Sequence, residues 1–259
     1  MKFDFSGKVT VITGGSAGMG YAAAELFGLS GAKVAICARN KEKLDAAVDN
    51  LKAKGIDAIG EECDVSSSKE LFKFADDVEK HFGKIDIWVS NAGYMPFSLI
   101  KDCDDDLWDK IINTNLKSVF IGGKIAYEKM RKNGGVLINA SSFASVIPSV
   151  GFGAYAAAKS GVTSLTRTMA AELAPYNIRV VGYIPGVIDT DLTKENIRVN
   201  GDKLYEPLAI RRIGKAEDVA EAIAFLASDS ASYITGCCIE VTGGKFAVQN
   251  PMKAYELKD

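Results

Sequence analysis

The feature that most restricts the fold is an alternation running the length of the chain, in which short β-branched runs each lead into a helical stretch. "KVTVITGG" (8–15) gives way to "GMGYAAAELFGLSG" (18–31), and "AKVAICA" (32–38) to the charged, amphipathic "NKEKLDAAVDNLKAKG" (40–55). "IDAIGEECDV" (56–65) precedes "SSSKELFKFADDVEKHFG" (66–83), with serines and Gly83 where helix caps belong. "KIDIWVSNAG", "GGVLINASS", "NIRVVGYIPG" and "GCCIEVTGG" read as further strands. Strands joined through helices return parallel to one another, so the expected structure is a parallel sheet covered on both faces. No linker, repeat or low-complexity stretch interrupts the pattern, and 259 residues suit one domain spanning 1–259.

Composition narrows the function classes. With 31 basic against 33 acidic residues the net charge is −2, which argues against a nucleic-acid or polyanion surface. No apolar run approaches the ~18 residues of a membrane span, and Asp4 stands where a leader peptide would place its apolar core. Cys37, Cys63, Cys103, Cys237 and Cys238 are odd in number and lack C-x-x-C spacing. Free thiols in a reducing, cytoplasmic setting are therefore expected. The single histidine, His81, ends a helix before a turn, which suits a solvated structural role, and no metal site is expected.

"TGGSAGMG" (13–20) lies between the first strand and the first helix, where a dinucleotide site belongs. Gly14 permits the tight turn, Gly18 lets the backbone approach a pyrophosphate, and Gly20 lets the helix pack against the sheet. The helix start, with Met19 between the last two glycines, offers free N–H groups and a partial positive charge to phosphates. An acidic residue about 20 positions further on would select NAD by accepting from the ribose hydroxyl. Here that place reads Ala38-Arg39. A guanidinium suits a 2′-phosphate, so NADP(H) is the expected cofactor, with Ser16 as a second donor and NAD(H) as the alternative.

"GAYAAAKSG" (153–161) places Tyr155 and Lys159 four apart, on one helix face. Moving a tyrosine from pKa ≈ 10 to neutrality takes about 3 units, roughly 4 kcal/mol. A cation ~5 Å away at an effective dielectric of ~20 supplies about 3 kcal/mol of that. The expectation is a phenol acidified by Lys159, and small residues between them that leave it uncovered.

Taken together, "TGGSAGMG", "NAG" (91–93), "NTNLKSVF" (113–120), "INASS" (138–142), "YAAAK" (155–159) and "PGVIDT" (185–190) resemble the short-chain dehydrogenase/reductase family, in order and spacing, from Lys8 to Gly244. The resemblance implies a Rossmann fold, a doubly wound α/β sheet of about seven strands. It assigns Ser142 as the hydroxyl that holds a substrate carbonyl, in preference to Ser141, and Asn115 as the holder of a water feeding a relay through Lys159. It puts Asn91, Ala92 and Gly93 along the cofactor groove, Asp64 and Val65 beside the adenine, and Pro185, Gly186, Ile188 and Thr190 near the carboxamide. Tyr155 and Lys159 also face the nicotinamide ribose. Two positions depart from the family's usual residues: Val181 stands where Asn is frequent, and Thr242 where Asp is frequent.

The implied reaction is hydride transfer between NADP(H) and a ketone or secondary alcohol, as in carbonyl reductases or hydroxysteroid dehydrogenases. Apolar residues around 94–97 and 143–152, and a lid over about 190–212, suit an apolar substrate. Two alternatives stand beside it. A 3-oxoacyl-(acyl carrier protein) reductase would dock its acidic partner near Arg131, Lys132, Asn133 and Tyr176, a weakly basic surface. A non-catalytic sensor or scaffold would be expected to lack Tyr155 or Lys159. The resemblance also implies a homotetramer or homodimer built on the helices near 105–131 and 153–174, where Ala156, Ala157 and Gly161 would allow close packing.

Overall fold

The structure is a computed structural model that describes residues 3–257. Seven strands form one parallel sheet in the order β3-β2-β1-β4-β5-β6-β7. They are β1 (Val9–Thr13), β2 (Lys33–Ala38), β3 (Ala58–Glu62), β4 (Ile87–Ser90), β5 (Gly135–Ala140), β6 (Ile178–Pro185) and β7 (Cys238–Val241). The chain runs outward from β1 to β3, then returns to lay β4 against the other side of β1, with Ile12 opposite Val89. This reversal opens a crevice at the carboxyl ends of β1 and β4, where α/β sheets bind ligands.

Period-two alternation distributes the core between two layers. Ile12, Ile36, Val89 and Ile138 face Phe27 of helix α1 (Gly18–Leu29), Leu44 and Leu51 of α2 (Lys41–Ala53), and Val219 and Ile223 of the helix at Ala216–Ala227. Val9, Val11, Trp88 and Leu137 face Leu71 and Phe74 of α3 (Ser68–Phe82), and Ile121, Ile125 and Met169 from the helices at Ser118–Met130 and Gly153–Leu173. Every residue of β1 is buried, as a central strand requires.

Between α4 (Asp105–Ile112) and α5 (Ser118–Met130) the helix widens to a π turn over Asn113–Lys117. The turn pushes Leu116 against α6 (Gly153–Leu173), where a Cβ on Gly161 would meet it at 2.9 Å. Two of the three small residues expected at a subunit contact thus serve the chain's own packing: Gly161 receives Leu116 and Ala156 is buried. Beyond β6 lie α7 (Lys194–Asn200), α8 (Ala216–Ala227) and, after β7, the four-residue α9 (Lys253–Glu256). The tail folds over its own chain, with Tyr255 donating to the Ala209 carbonyl at 2.7 Å.

Candidate active site

The turn after β1 is shaped by its glycines. Gly14 and Gly18 hold positive φ (66° and 55°), conformations that favour glycine. A Cβ on Gly14 would lie 2.9 Å from the Cα of Ala92, and one on Gly20 would lie 2.5 Å from Asn91 Nδ2. Gly15, not singled out from sequence, is as constrained: its Cβ would strike Ile36 at 2.5 Å. Helices α2, α3 and α4 are capped by the side chains of Asn40, Ser67 and Asp104, whereas no side chain caps α1 and no acid sits in its first turn. A small-residue cradle opening on uncapped N–H groups fits a dinucleotide pyrophosphate.

Asn91 fastens this turn to two other strands. Its Nδ2 donates to the carbonyls of Thr13 (3.0 Å) and Gly14 (3.3 Å), and its Oδ1 accepts from the Tyr183 hydroxyl at 2.9 Å. Thr13 Oγ1 accepts from the N–H groups of Asn91 and Ala92 at 3.0 and 3.1 Å. Sequence reading did not single out Thr13 or Tyr183. Both sit in strand runs that look like ordinary core, and their partners lie 78 or more residues away in the chain.

The catalytic candidates converge at the ends of β5 and α6. Tyr155 is 7% exposed and Lys159 3%. Lys159 Nζ donates to the Ala140 carbonyl at 2.7 Å and lies 5.7 Å from the centre of the Tyr155 ring. The two adjacent serines separate cleanly. Ser141 is buried among Ser145, Thr163 and the Lys159 carbonyl, at 3.1, 2.8 and 3.1 Å. Ser142 is only half-buried and acts on the Tyr155 phenol as a neighbouring hydroxyl, while its Oγ accepts from the Ala144 N–H at 3.2 Å.

The electrostatics differ from the expectation of an acidified phenol. Burial pushes the Tyr155 phenol above its ordinary range, and the neighbouring Ser142 hydroxyl only partly counters it. The same burial pulls Lys159 down to about 8. In this state the phenol is a protonated, poised acid, the form a carbonyl reduction consumes.

Asn115 is fully buried in the π turn. Its Nδ2 donates to the carbonyls of Tyr94 (2.8 Å) and Ile111 (2.9 Å), and its Oδ1 accepts from the Tyr94 N–H at 3.1 Å. Both amide hydrogens are therefore used, and the side chain acts as a clamp on the strand-end segment. A Cβ on Gly93 would lie 3.2 Å from the same Oδ1.

Most of the remaining candidates follow the carboxyl ends of β1, β2, β3 and β6. Arg39 stands exposed at the end of β2, and among the described residues it makes no ion pair. Asp64 is half-buried and accepts from Ser66 N–H and Oγ at 2.9 and 2.8 Å, and Val65 is buried. Ser16 lies in the glycine turn, and Met19 packs partly against the core. Pro185 ends β6, and the Gly186 N–H donates to the Val241 carbonyl at 3.0 Å. Ile188 is buried and Thr190 half-buried, its side chain 3.2 Å from where a Gly18 Cβ would stand. Val181 lies wholly inside the core, and Thr242 at the end of β7 is buried against Gly186, so neither departure touches the reacting groups. Beside Tyr155 a cavity of about 160 Å³ is lined by Pro96, Ile100, Trp108 and Phe152.

Comparison with known proteins agrees with this arrangement. The family model described as enoyl-(acyl carrier protein) reductase matches residues 14–245. The chain is 36% identical over 241 residues to the 3-oxoacyl-acyl-carrier-protein reductase FabG of Staphylococcus epidermidis, covering 92% of this chain and 99% of that one. It is 38% identical over 246 residues to tropinone reductase-like 3 of Erythroxylum coca, covering 93% of each. A solved short-chain type dehydrogenase/reductase from Mycobacterium marinum superposes with a TM-score of 0.90 at 32% identity, over 95% of this chain and 98% of that one. On matches of this extent, and with an oxidoreductase site of this shape, the chain belongs to the short-chain dehydrogenase/reductase family.

Proposed function

We propose that the protein reduces a ketone to a secondary alcohol with NADPH, and runs the reverse oxidation when the concentrations favour it. The observation that carries this reading is the set Ser142, Tyr155 and Lys159, the last two buried, in a chain that also holds the uncapped glycine cradle. The glycine cradle at Gly14, Gly15, Gly18 and Gly20 would hold the pyrophosphate of a reduced dinucleotide, which would supply a hydride to the carbonyl carbon. Ser142 Oγ donates to the carbonyl oxygen and holds it beside Tyr155. The Tyr155 O–H bond breaks as its proton passes to that oxygen, so one hydride and one proton turn the ketone into the alcohol. The Lys159 cation, anchored on the Ala140 carbonyl, stabilises the phenolate left behind. Asn115 positions the Tyr94 segment that borders the site.

The preference for NADP(H) is supported by Arg39 and by the absence of a carboxylate at the end of β2. The apolar cavity beside Tyr155 favours a substrate with an apolar body, and the segment 190–212 acts as its lid. A homo-oligomer through α4 and α5 would cover Trp108 and Phe120, which stand 43% and 50% exposed. A second reading, reduction of 3-oxoacyl groups on a carrier protein, is favoured by the names of several relatives. Against it, the docking surface offers Arg131 already lying over the Tyr127 ring, 5.3 Å from its centre.

The test is NADPH oxidation with a panel of ketones, for the wild type and for Tyr155→Phe. Removing the proton donor while keeping the ring is expected to lower kcat by about 10²–10⁴, with NADPH affinity unchanged. Near-normal turnover by the variant would refute the assignment.

A further inference from the structure

Lys245 follows a glycine pair just beyond β7. Gly243 and Gly244 both hold positive φ (65° and 73°), and the Gly243 carbonyl accepts from the Ile210 N–H at 2.9 Å. This turn carries the lysine back over the carboxyl edge of the sheet. Its Nζ lies 4.9 Å from the centre of the Phe143 ring and 5.7 Å from that of Phe246, and the two rings stack at 5.9 Å. Phe143 directly follows Ser142 in the chain, so the ammonium packs on the neighbour of the residue assigned to the substrate carbonyl.

The surroundings of this cation are unusual within the chain. Lys129 is also largely buried, and it is matched by Asp76 and Glu79, each at 2.6 Å. Lys245 is half-buried, yet among the described residues no carboxylate and no hydrogen-bond acceptor meets its Nζ. Ring faces attract a cation but accept none of its three N–H donors in the way that water or an anion does. Burial accordingly holds its pKa below the ordinary lysine range. A positive group kept in place by two aromatic rings, with no acceptor among the described residues, packed on the residue after Ser142 and next to the 207–210 segment, is suited to receive an anion.

We propose that Lys245 is a specificity-determining residue that binds an anionic group on the substrate, so that the preferred ketone is an oxo acid or oxo phosphate with an apolar body. The apolar portion packs beside Tyr155, the carbonyl sits on Ser142, and the anionic end lies on Lys245. This rests on the carbonyl site proposed above, and the two readings fail separately.

The experiment compares kcat/KM for a series of oxo acids of increasing chain length with their methyl esters, and with an oxoalkyl phosphate, using NADPH. Loss of a charge-assisted contact corresponds to about tenfold or more. Wild type is expected to favour the acid or the phosphate over the ester by at least that factor at one chain length. Lys245→Met is expected to bring the ratio close to one, and Lys245→Arg to preserve it. The ratio is internal to each variant, so changes in stability or cofactor affinity cancel. A larger ratio for the phosphate identifies that anion, and a larger one for the acids identifies a carboxylate. Titration calorimetry of octanoate into the NADPH-loaded protein reads the same contact without turnover, with binding expected in wild type and Lys245→Arg and lost in Lys245→Met. Ester reduction alone reports the carbonyl chemistry. Equal ratios and equal octanoate binding in wild type and Lys245→Met would overturn the assignment of Lys245 while leaving the ketone reduction standing.

Discussion

The turn after β1 and the segment after β6 border the same crevice, yet they are built in opposite ways. Around the turn there is no room for a Cβ at Gly14 or Gly20, where backbone closes in, or at Gly15, where Ile36 does, and Asn91 bonds β1 to β4 and β6. In the 190–212 segment the one α-helix has seven residues, and Leu192, Val199 and Ile210 stand 49%, 64% and 56% exposed. That segment is tied down by polar contacts at its ends: Lys43 to Asp191 at 3.4 Å, and Arg212 to Asp218 at 2.6 and 2.7 Å. The contrast separates two tasks. A pyrophosphate of fixed shape rewards a preorganised cradle, whereas a substrate that must enter and leave rewards apolar surface that is buried only on closure.

The comparison is broken most forcefully with a methyl group. Gly20 has helical backbone and no strain of its own, so Gly20→Ala acts through sterics alone, forcing Cβ against Gly14 and Asn91. The expected cost is about 3 kcal/mol in urea unfolding, with loss of NADPH binding. Gly201→Ala, at φ 42° with nothing within 4 Å of the added carbon, is expected to cost only about 1 kcal/mol and to spare cofactor binding. Equal losses at the two sites would mean that the two regions are not built differently.

Lys159 belongs to neither region, standing on α6 against the end of β5, and its burial makes it a liability for folding. Its folded-state pKa of about 8 lies below the ordinary 10.5. Below pH 8 the folded protein therefore carries a buried charge, at roughly 3 kcal/mol, and the penalty fades as pH rises toward 10.5. Lys159→Met removes the charge at similar volume but also loses the bond to Ala140. Relative to wild type, the variant is expected to gain most stability at pH 7 and to lose that advantage by pH 10, read from urea melts at both values. Ketone reduction by the wild type is expected to decline above pH 8, as the cation beside Tyr155 is lost. A stability gap that does not narrow with pH would contradict the burial argument.

How much of this was legible in the sequence follows the same division. Strand–helix alternation gave the sheet, and the caps at Ser67 and Gly83 lie where local chemistry puts them. Tyr155 and Lys159 share a helix face because their spacing says so. What stayed hidden depends on contacts between distant strands: Thr13 and Tyr183 as partners of Asn91, Gly15 against Ile36, and Lys245 beside Phe143. The direction of the Tyr155 shift was also missed, because spacing locates a cation but not the depth of burial that outweighs it. The clamp that the Asn115 side-chain amide forms on Tyr94 and Ile111 is hidden for the same reason as the strand contacts, since it joins the π turn to a segment 21 residues away.

Arg39 sharpens the comparison, because it belongs to the rigid half yet stands exposed and without an ion pair among the described residues. An exposed guanidinium contributes to a phosphate contact chiefly through charge, and salt screens such contacts over a Debye length of about 10 Å at 0.1 M. Arg39→Asp is therefore expected to weaken NADPH binding roughly tenfold, a change of about 1.4 kcal/mol, and to leave NADH binding equal or improved. The wild-type preference for NADPH should shrink with added salt, while the variant's affinities should respond less. Fluorescence titration of both cofactors at two ionic strengths measures all four quantities. If NADPH affinity is unchanged in the variant, the choice of cofactor is made elsewhere on the groove, with Ser16 the next residue to replace.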